Sequence, residues 1–361
     1  CLSLLHSLQC MLARISVLII LLALPLSSLQ AAAVTGLYEA EVPVADQAQE
    51  SYQDGLNRAL KAVLVKLTGE PDVQGRQVTA YLLDNPQLYV QQYKYRNKAK
   101  QLADQLTLEK ELFLWVQFNE PALKNVFRDY QVPLWGNVRP NTLIWVLVEE
   151  NGERRYVTLE EEEAYTSVFE NTAQKRGIPL SYPLLDEEDR VMVEKADIWG
   201  GFAEPVKRAS QRYSPNAILM GSVYQISARK WEARWMAIVD DRPISWTQSA
   251  ENPELVLADG IDKLADILAD RYVQAMGGVQ DTRIEVTVDN VYKYDEHARV
   301  LKYFRSLSNV SDVNIKSLKT GSVTFSINTA GSDEQGLRQT IQLGNTLEPV
   351  AGNTNLYRLI R

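Results

Sequence analysis

The sequence predicts a mixed fold of the α/β and α+β classes, with three layered α/β domains in a chain of 361 residues. Two observations support this prediction. Apolar residues alternate along some segments, as in strands, and recur at every third or fourth position along others, as in helices. The two kinds of segment follow one another along the chain, which favours helices packed on sheets.

The first predicted domain spans residues 34–138. It begins with an alternating strand in GLYEAEVPV and continues with the clearest helix of the chain, in SYQDGLNRALKAVLVKLTG. Apolar residues recur at helical spacing from Leu56 to Leu67, and Gly69 supplies a stop signal. Strands follow in LYVQQYKYRN and KELFLWVQFN, and EPALKNVFRDYQV predicts a helix with a proline near its start.

The second predicted domain spans residues 139–276 and contains a mixed sheet. Its first strand, in RPNTLIWVLVEE, is apolar on both faces at its centre, as in a sheet covered on both sides. The predicted order is β-α-β-α-β-β-β-α, with a short second strand in IPLSYPLL. The last three strands lie in NAILMGSVYQIS, WEARWMAIVDD and PISWTQSA, and a long amphipathic helix begins at Pro253.

The third predicted domain spans residues 279–361, after the Gly277-Gly278 pair. Its segments follow the order β-α-β-β-α-β, which is the ferredoxin-like order. The strands lie in TRIEVTVDNV, VSDVNIKSLK, SVTFSINTA and NLYRLIR. The helices lie in KYDEHARVLKYFRSLS and DEQGLRQTIQLG.

The pattern of residues 1–33 predicts a pre-sequence that contains a secretory signal peptide, with translation starting at Met11. Arg14 is basic, residues 15–24 form an apolar run, and alanines precede the expected cleavage point. The run is shorter than the roughly 20 residues of a membrane-spanning helix, which favours cleavage over an uncleaved anchor. No later apolar run is long enough to span a membrane. The sequence therefore predicts export to the periplasm and no transmembrane segment after cleavage.

Charge, cysteine and histidine content argue against several classes of function. The formal net charge of -8 disfavours a nucleic-acid partner. Cys1 and Cys10 both precede the expected cleavage point, so the exported chain would have no disulfide and no thiol nucleophile. His297 would be its single histidine, without a nucleophile motif nearby. The sequence predicts no catalytic residue, no metal ligand and no cofactor.

A basic and aromatic stretch, YVQQYKYRNKAK, is the first candidate binding site. Tyr93 and Tyr95 alternate there with Lys94 and Arg96 in an otherwise acidic chain. Aromatic rings beside cations can stack on sugars or hold anionic groups, such as lipid headgroups or an acidic protein surface. The alternative is a strand with packed tyrosines and solvated cations.

Two tryptophans, Trp231 and Trp235, fall on one face of the predicted strand WEARWMAIV. Such a ladder can bind a glycan. It also packs well beneath a helix, and this interpretation is favoured because tryptophan stabilises strands and cores.

The connector VPLWGNVRPNT, residues 132–142, contains Trp135 and Arg139 and is stiffened by Pro140. A ligand cleft between the first two domains is one interpretation. A buried joint that fixes the orientation of the domains is the favoured one.

An acidic cluster follows the short strand, in LLDEEDR. Asp186 and Asp189 there could form a general acid/base pair or hold a hard cation. The favoured alternative makes Asp186 the N-cap of a short helix, with Asp189 at the third position returning a bond to the cap.

Several segments together resemble the secreted bacterial "domain of unknown function 2066" family. They are LYEAEVPVADQ, ALKAVLVKLTG, YVQQYKY, PLWGNVRP, RGIPLSYPLLDEED, ASQRYSPNAILMGSV and WEARW. The resemblance covers essentially the whole exported chain. It implies an exported protein and supplies no catalytic residue.

The leading functional hypothesis is a non-catalytic accessory or scaffold protein of the periplasm that binds envelope proteins. One alternative is a glycan- or ligand-binding protein that uses the tryptophans or the interdomain cleft, in contact with peptidoglycan or the membrane surface. The other is a carboxylate-dependent hydrolase centred on Asp186 and Asp189.

Overall fold

A computed structural model describes residues 34–360, apart from 74, 102–107, 160–162, 274–281, 308, 330–331 and 345. The described residues form a mixed α/β structure with three sheets, which confirms the predicted fold class. The predicted signal peptide and the Gly277-Gly278 boundary lie outside the described residues. The three domain boundaries stay a prediction.

The first sheet is antiparallel and has the order β1-β3-β2. Its strands are β1 (Glu39–Pro43), β2 (Val90–Gln101) and β3 (Leu108–Phe118). Helix α1 (Gln49–Thr68) packs on one face with the predicted apolar stripe from Leu56 to Leu67, which is buried. Gly69 follows with φ 74, a left-handed conformation that ends the helix. Helices α2 (Gln77–Asp84) and α3 (Glu120–Asp129) complete this part, and α2 was not predicted.

The second sheet is mixed and has the order β5-β4-β7-β8-β9, with a short strand β6 paired to β4. The strands are β4 (Thr142–Glu150), β5 (Glu153–Tyr156), β6 (Leu180–Ser181), β7 (Ala217–Ser227), β8 (Lys230–Val239) and β9 (Arg242–Ala250). Strand β4 runs parallel to β7, and the other neighbours along the main path are antiparallel.

Helices cover both faces of this sheet, as the apolar centre of β4 predicts. On one face, Ile144 and Val146 of β4 share a core with α4 (Glu163–Arg176) and α8 (Pro253–Tyr272). On the other, Leu143 and Trp145 pack with α6 (Lys195–Gly200) and α7 (Ala203–Ser210). Helix α5 (Glu187–Met192) precedes α6.

The strand predicted in IPLSYPLL is much shorter than expected. Only Leu180 and Ser181 pair with β4. Pro179 and Pro183 flank this pair and lack the N–H that a longer ladder needs.

The third sheet has the order β11-β12-β10-β14-β13. Its strands are β10 (Arg283–Asp289), β11 (Val310–Lys319), β12 (Ser322–Thr329), β13 (Leu347–Pro349) and β14 (Leu356–Leu359). Its helices are α9 (Tyr294–Ser306) and α10 (Glu334–Leu343). The predicted order of strands and helices is present, and one further strand, β13, precedes the last strand. Since β14 runs antiparallel to β13, this addition leaves β14 parallel to β10.

The apolar interior extends between sheets. Residues beneath α8 in the second sheet belong to the same buried cluster as Val286 and Phe325 in the third. The first sheet has a separate core around α1. Within the described part of the chain, no helix combines the length and apolar character that crossing a membrane requires.

Candidate functional site

Asp186 caps helix α5, in the position that the sequence predicts. Its Oδ1 accepts the backbone N–H of Asp189 at 3.1 Å, and Arg212 donates to both carboxylate oxygens at 2.8 and 2.9 Å. The bonds from Arg212, and then the backbone bond, lower the pKa of Asp186 to about 2. The group is therefore ionised at neutral pH and has no proton to give as a general acid.

Asp189 is fully enclosed by protein groups. Its Oδ2 accepts the Tyr213 hydroxyl at 2.5 Å and the backbone N–H of Leu185 at 2.9 Å, and its Oδ1 lies 3.3 Å from Arg212 Nη1. The sequence predicts that the Asp189 carboxylate accepts the backbone N–H of the cap residue, Asp186. It accepts the N–H of Leu185 instead, one residue earlier. The Asp189 side chain has no exposed surface, so its carboxylate does not face a substrate or a hydrated cation. The pair fastens α5 to the turn at 211–213.

Trp231 and Trp235, selected from the sequence as candidate ligand-binding residues, both face the core. The Trp235 ring lies between Gly221 of β7 and Gly260 of α8, where added Cβ atoms would come within 2.2 and 2.5 Å of it. Trp231 is buried in the same cluster. Neither ring has a free face for a glycan, and packing beneath α8 accounts for both.

Trp135 and Arg139 form a closed joint instead of a cleft. The Arg139 guanidinium stacks on the Trp135 ring, with 4.1 Å between Cζ and the ring centre. Its Nε and Nη atoms donate to backbone carbonyl oxygens of Lys66, Trp135, Gly136 and Arg176 at 2.5–3.1 Å. Burial lowers the pKa of Arg139, but a guanidinium stays charged in proteins. Its charge is compensated by carbonyls at the C-terminal ends of α1 and α4, where helix dipoles are negative.

Two further cations extend this joint. Arg176, at the end of α4, donates to the carbonyl of Gly69 at 2.9 Å and to Asp266 of α8 at 2.5 Å. Lys66, in the last turn of α1, donates to the carbonyls of Gly36 and Glu39 at 3.1 and 2.6 Å. Arg139 and Arg176 therefore bind the end of α1 to α4 and α8, and Lys66 binds it to the start of β1.

The basic stretch of β2 takes part in an exposed surface on the first sheet. Lys94 Nζ lies 4.5 Å from the centre of the Trp115 ring, and Arg96 Cζ lies 5.2 Å from it. Lys98 Nζ lies 4.8 Å from the centre of the Phe113 ring. All three cations are exposed, and both rings are partly exposed. We call these five residues the cationic face.

The four residues selected from YVQQYKYRNKAK divide between two faces of the sheet. Lys94 and Arg96 lie on the cationic face. Tyr93 and Tyr95 point the other way, toward α1, where Tyr93 is 4.9 Å from the ring of Tyr52. The alternation of a strand requires this division. The stretch is therefore not a single mixed patch.

The charge balance of the cationic face is uneven. Glu41 of β1 pairs with Arg96 at 3.3 Å and also with Lys98. Lys94 has no carboxylate partner among the described residues, and only the Trp115 ring holds its side chain in place. A cation stacked on a ring keeps donors available for another acceptor. The arrangement can bind a carboxylate or another anion, and it has no feature of a catalytic centre.

Sequence reasoning missed Trp115, Phe113 and Glu41. Alternation in KELFLWVQF places Phe113 and Trp115 on the face opposite Leu114, and this signal was available. The facing of Lys94 with Trp115 and of Arg96 with Phe113 depends on the register of β2 and β3. Strands β2 and β3 pair as far as Gln101 and Leu108. Strand β1 pairs only with residues from Phe113 to Gln117 of β3, so β2 and β3 extend beyond it.

Residues 31–136, which contain the whole first sheet, match the family model described as "Domain of unknown function (DUF8605)". This segment matches a domain of unknown function. The model is not the one named from the sequence resemblance. Comparison with curated proteins gave no match.

The crystal structure of lipoprotein GNA1162 from Neisseria meningitidis is similar to part of the chain. Identity is 12%, and the match covers 36% of this chain and 99% of that one, with a TM-score of 0.19. A TM-score this low supports no conclusion about shared fold or function.

Proposed function

We propose that this protein is a non-catalytic accessory or scaffold protein of the bacterial periplasm, and that its cationic face binds an acidic envelope protein. Export rests on the signal peptide predicted in residues 1–33. The observation that carries the binding proposal is the stacking of Lys94 on Trp115, with no carboxylate to neutralise it among the described residues.

The composition of the face favours a protein partner. Tryptophan and arginine are the residues that most often dominate binding energy at protein interfaces. Stacking holds the long side chains of Lys94 and Arg96 before a partner arrives, which reduces the entropy that binding removes. Exposed cations increase the association rate with an acidic surface and make binding sensitive to salt.

The described geometry gives less support to the two alternative functions. Asp186 and Asp189 are committed to capping and ion pairing, so a hydrolase would lack free carboxylates at that position. Trp231 and Trp235 are buried and offer no surface to a glycan.

Site-specific photo-crosslinking in intact cells tests the proposal. A photoreactive residue at Gln92, which lies on the same face of β2, is expected to capture a specific protein. Lys94→Glu should abolish this capture, and raised salt should weaken it in extracts. Lys302→Glu is the matched control, because Lys302 is also exposed but lies on α9.

Three results would count against the proposal. Capture that is unchanged by Lys94→Glu would remove the cationic face from the interaction. Equal loss in Lys302→Glu would indicate a general charge effect. Binding of the purified protein to anionic vesicles, lost in Lys94→Glu and without a captured protein, would replace the protein partner with a lipid surface.

A further inference from the structure

Glu41 of β1 lies on the same side of the first sheet as the cationic face. Strand β3 separates β1 from β2, and Glu41 and Lys94 are both opposite Trp115 in the register, one on each side of it. The Glu41 carboxylate reaches across β3 and forms ion pairs with Arg96 at 3.3 Å and with Lys98. A carboxylate of the protein itself therefore already binds two of the three cations of this face.

The Glu41 carboxylate is more enclosed than the cations that it binds. Its side chain is 18% exposed, whereas the side chains of Arg96 and Lys98 are 41% and 53% exposed. An external anion that took both cations would leave Glu41 without a partner and would stand beside its negative charge. Charges left unpaired and like charges brought together are means by which a protein surface rejects a wrong ligand. Glu41 is thus placed to oppose any anion that needs all three cations.

Lys94 differs from the other two cations because Glu41 does not pair with it. Its ammonium lies on the Trp115 ring and has no carboxylate partner among the described residues. One ammonium held in this way can bind one carboxylate, such as an acidic side chain of a partner protein. An anionic membrane surface is bound by several free cations together, each of which adds to the affinity. With Glu41 in place, the face therefore suits the first kind of ligand and not the second.

We propose that Glu41 determines the specificity of the cationic face: it leaves Lys94 open to a single carboxylate and excludes extended anionic surfaces such as a bilayer of anionic lipid. The inference rests on the proposed function, because it takes an acidic protein as the ligand. It adds a means of discrimination to that function, since removal of one carboxylate would turn the same surface into a binding site for anionic lipid.

Vesicle sedimentation with Glu41→Gln tests this inference. The purified protein is mixed with vesicles of phosphatidylcholine that either contain or lack phosphatidylglycerol, and the neutral vesicles report binding that does not depend on lipid charge. The wild type should bind both kinds equally. Glu41→Gln frees Arg96 and Lys98 and should bind the anionic vesicles about tenfold more tightly than the wild type does. Raised salt should remove this gain.

Two single variants are matched controls, because each makes the same change of charge. Glu254→Gln lies on α8, where Glu254 is exposed and forms no ion pair with another described residue, and it should behave as the wild type does. Glu111→Gln removes a carboxylate opposite Lys98 in the register of β2 and β3. Since Glu111 forms no ion pair with another described residue, this variant releases no cation, and its gain should be smaller than that of Glu41→Gln.

The double variant Glu41→Gln/Arg96→Gln checks that the freed cations are responsible. It removes one of them and should lose most of the gain of Glu41→Gln. A double variant that keeps the full gain would overturn the inference, because the new binding would then come from elsewhere on the protein.

Three further results would overturn the inference. Glu41→Gln that binds anionic vesicles no better than the wild type would show that Glu41 does not restrict the face, and it would leave the proposed function standing. A wild type that already binds them as tightly as Glu41→Gln would show that Glu41 excludes nothing. A gain in either single control equal to that of Glu41→Gln would indicate an effect of total charge. Failure of the proposed function is read separately, from photo-crosslinking at Gln92 that does not depend on Lys94.

Discussion

Arg139 shows how one residue can satisfy the ends of two helices. Its guanidinium is buried on Trp135 and donates only to backbone carbonyl oxygens among the described residues. Two of these carbonyls lie at the ends of α1 and α4, and the other two belong to Trp135 and Gly136 in the connector. The planar fork of arginine can reach several of them, whereas the single ammonium of lysine cannot.

Arg139→Lys is therefore expected to destabilise the fold although it preserves the charge. Two or more buried carbonyls would lose their donor, and we expect the free energy of unfolding to fall by about 2–4 kcal/mol. Urea unfolding followed by circular dichroism measures this change. Arg208→Lys, at an exposed position on α7, should change it by less than about 0.5 kcal/mol. Equal effects at both positions would show that the carbonyl network contributes little.

The ion pair of Asp186 predicts a specific acid sensitivity. Because the folded pKa of Asp186 is about 2 and its ordinary value is 3.8, the unfolded chain takes up this proton first as the pH falls. The stabilisation is present above about pH 4 and is lost between about pH 4 and pH 2.

Asp186→Asn should remove this contribution and flatten the dependence of unfolding free energy on pH in that window. Urea titrations at a series of pH values measure it. Glu187→Gln is the control, because Glu187 is next in sequence and forms no ion pair with another described residue. It should keep the wild-type slope of unfolding free energy against pH. An unchanged slope in Asp186→Asn would mean that the pair with Arg212 does not form in solution.

At the scale of elements, Gly69 sets both the end of α1 and its contact with α8. Its φ of 74 is left-handed, and an added Cβ would lie 2.4 Å from Cβ of Ala269 and 3.0 Å from the Trp135 ring. Strain and overpacking thus act at the same position.

Gly69→Ala should lower the free energy of unfolding by about 2–4 kcal/mol, combining backbone strain with overpacking. Gly152→Ala is a close control, because its φ of 80 is also left-handed but no atom lies within 4 Å of the added Cβ. That variant should cost only about 1–2 kcal/mol. Chemical denaturation of both distinguishes the two contributions, and equal losses would exclude a role for the contact with α8.

Elements whose pattern is local could be predicted from the sequence. The stripe of α1, the cap at Asp186 and the doubly apolar strand β4 each follow from neighbouring residues. Strand β6 is shorter than its apolar run predicts, because Pro179 and Pro183 have no N–H to donate to a longer ladder. The cationic face could not be predicted, since Trp115 faces Lys94 only through the pairing of two strands. Burial of Trp235 depends on Gly221 and Gly260, which come from different elements.

At the scale of the whole molecule, the buried cations determine how strongly the first sheet is coupled to the rest. The described residues lie in one compact unit. Within it, the core of the first sheet is separate from the core beneath α8, so apolar packing alone does not join them. Arg176 spans this boundary through Gly69 on one side and Asp262 and Asp266 on the other.

Arg176→Met should consequently separate the unfolding of the two cores. Without the guanidinium, the carbonyl of Gly69 loses its donor and the carboxylate of Asp266 loses its partner at the joint. Calorimetry is expected to show one transition for the wild type and two for the variant. Hydrogen exchange should assign the earlier transition to the first sheet. Arg58→Met, which removes an exposed pair with Asp54 in α1, should keep a single transition. A single transition in Arg176→Met, merely shifted to lower temperature, would show that other contacts couple the cores.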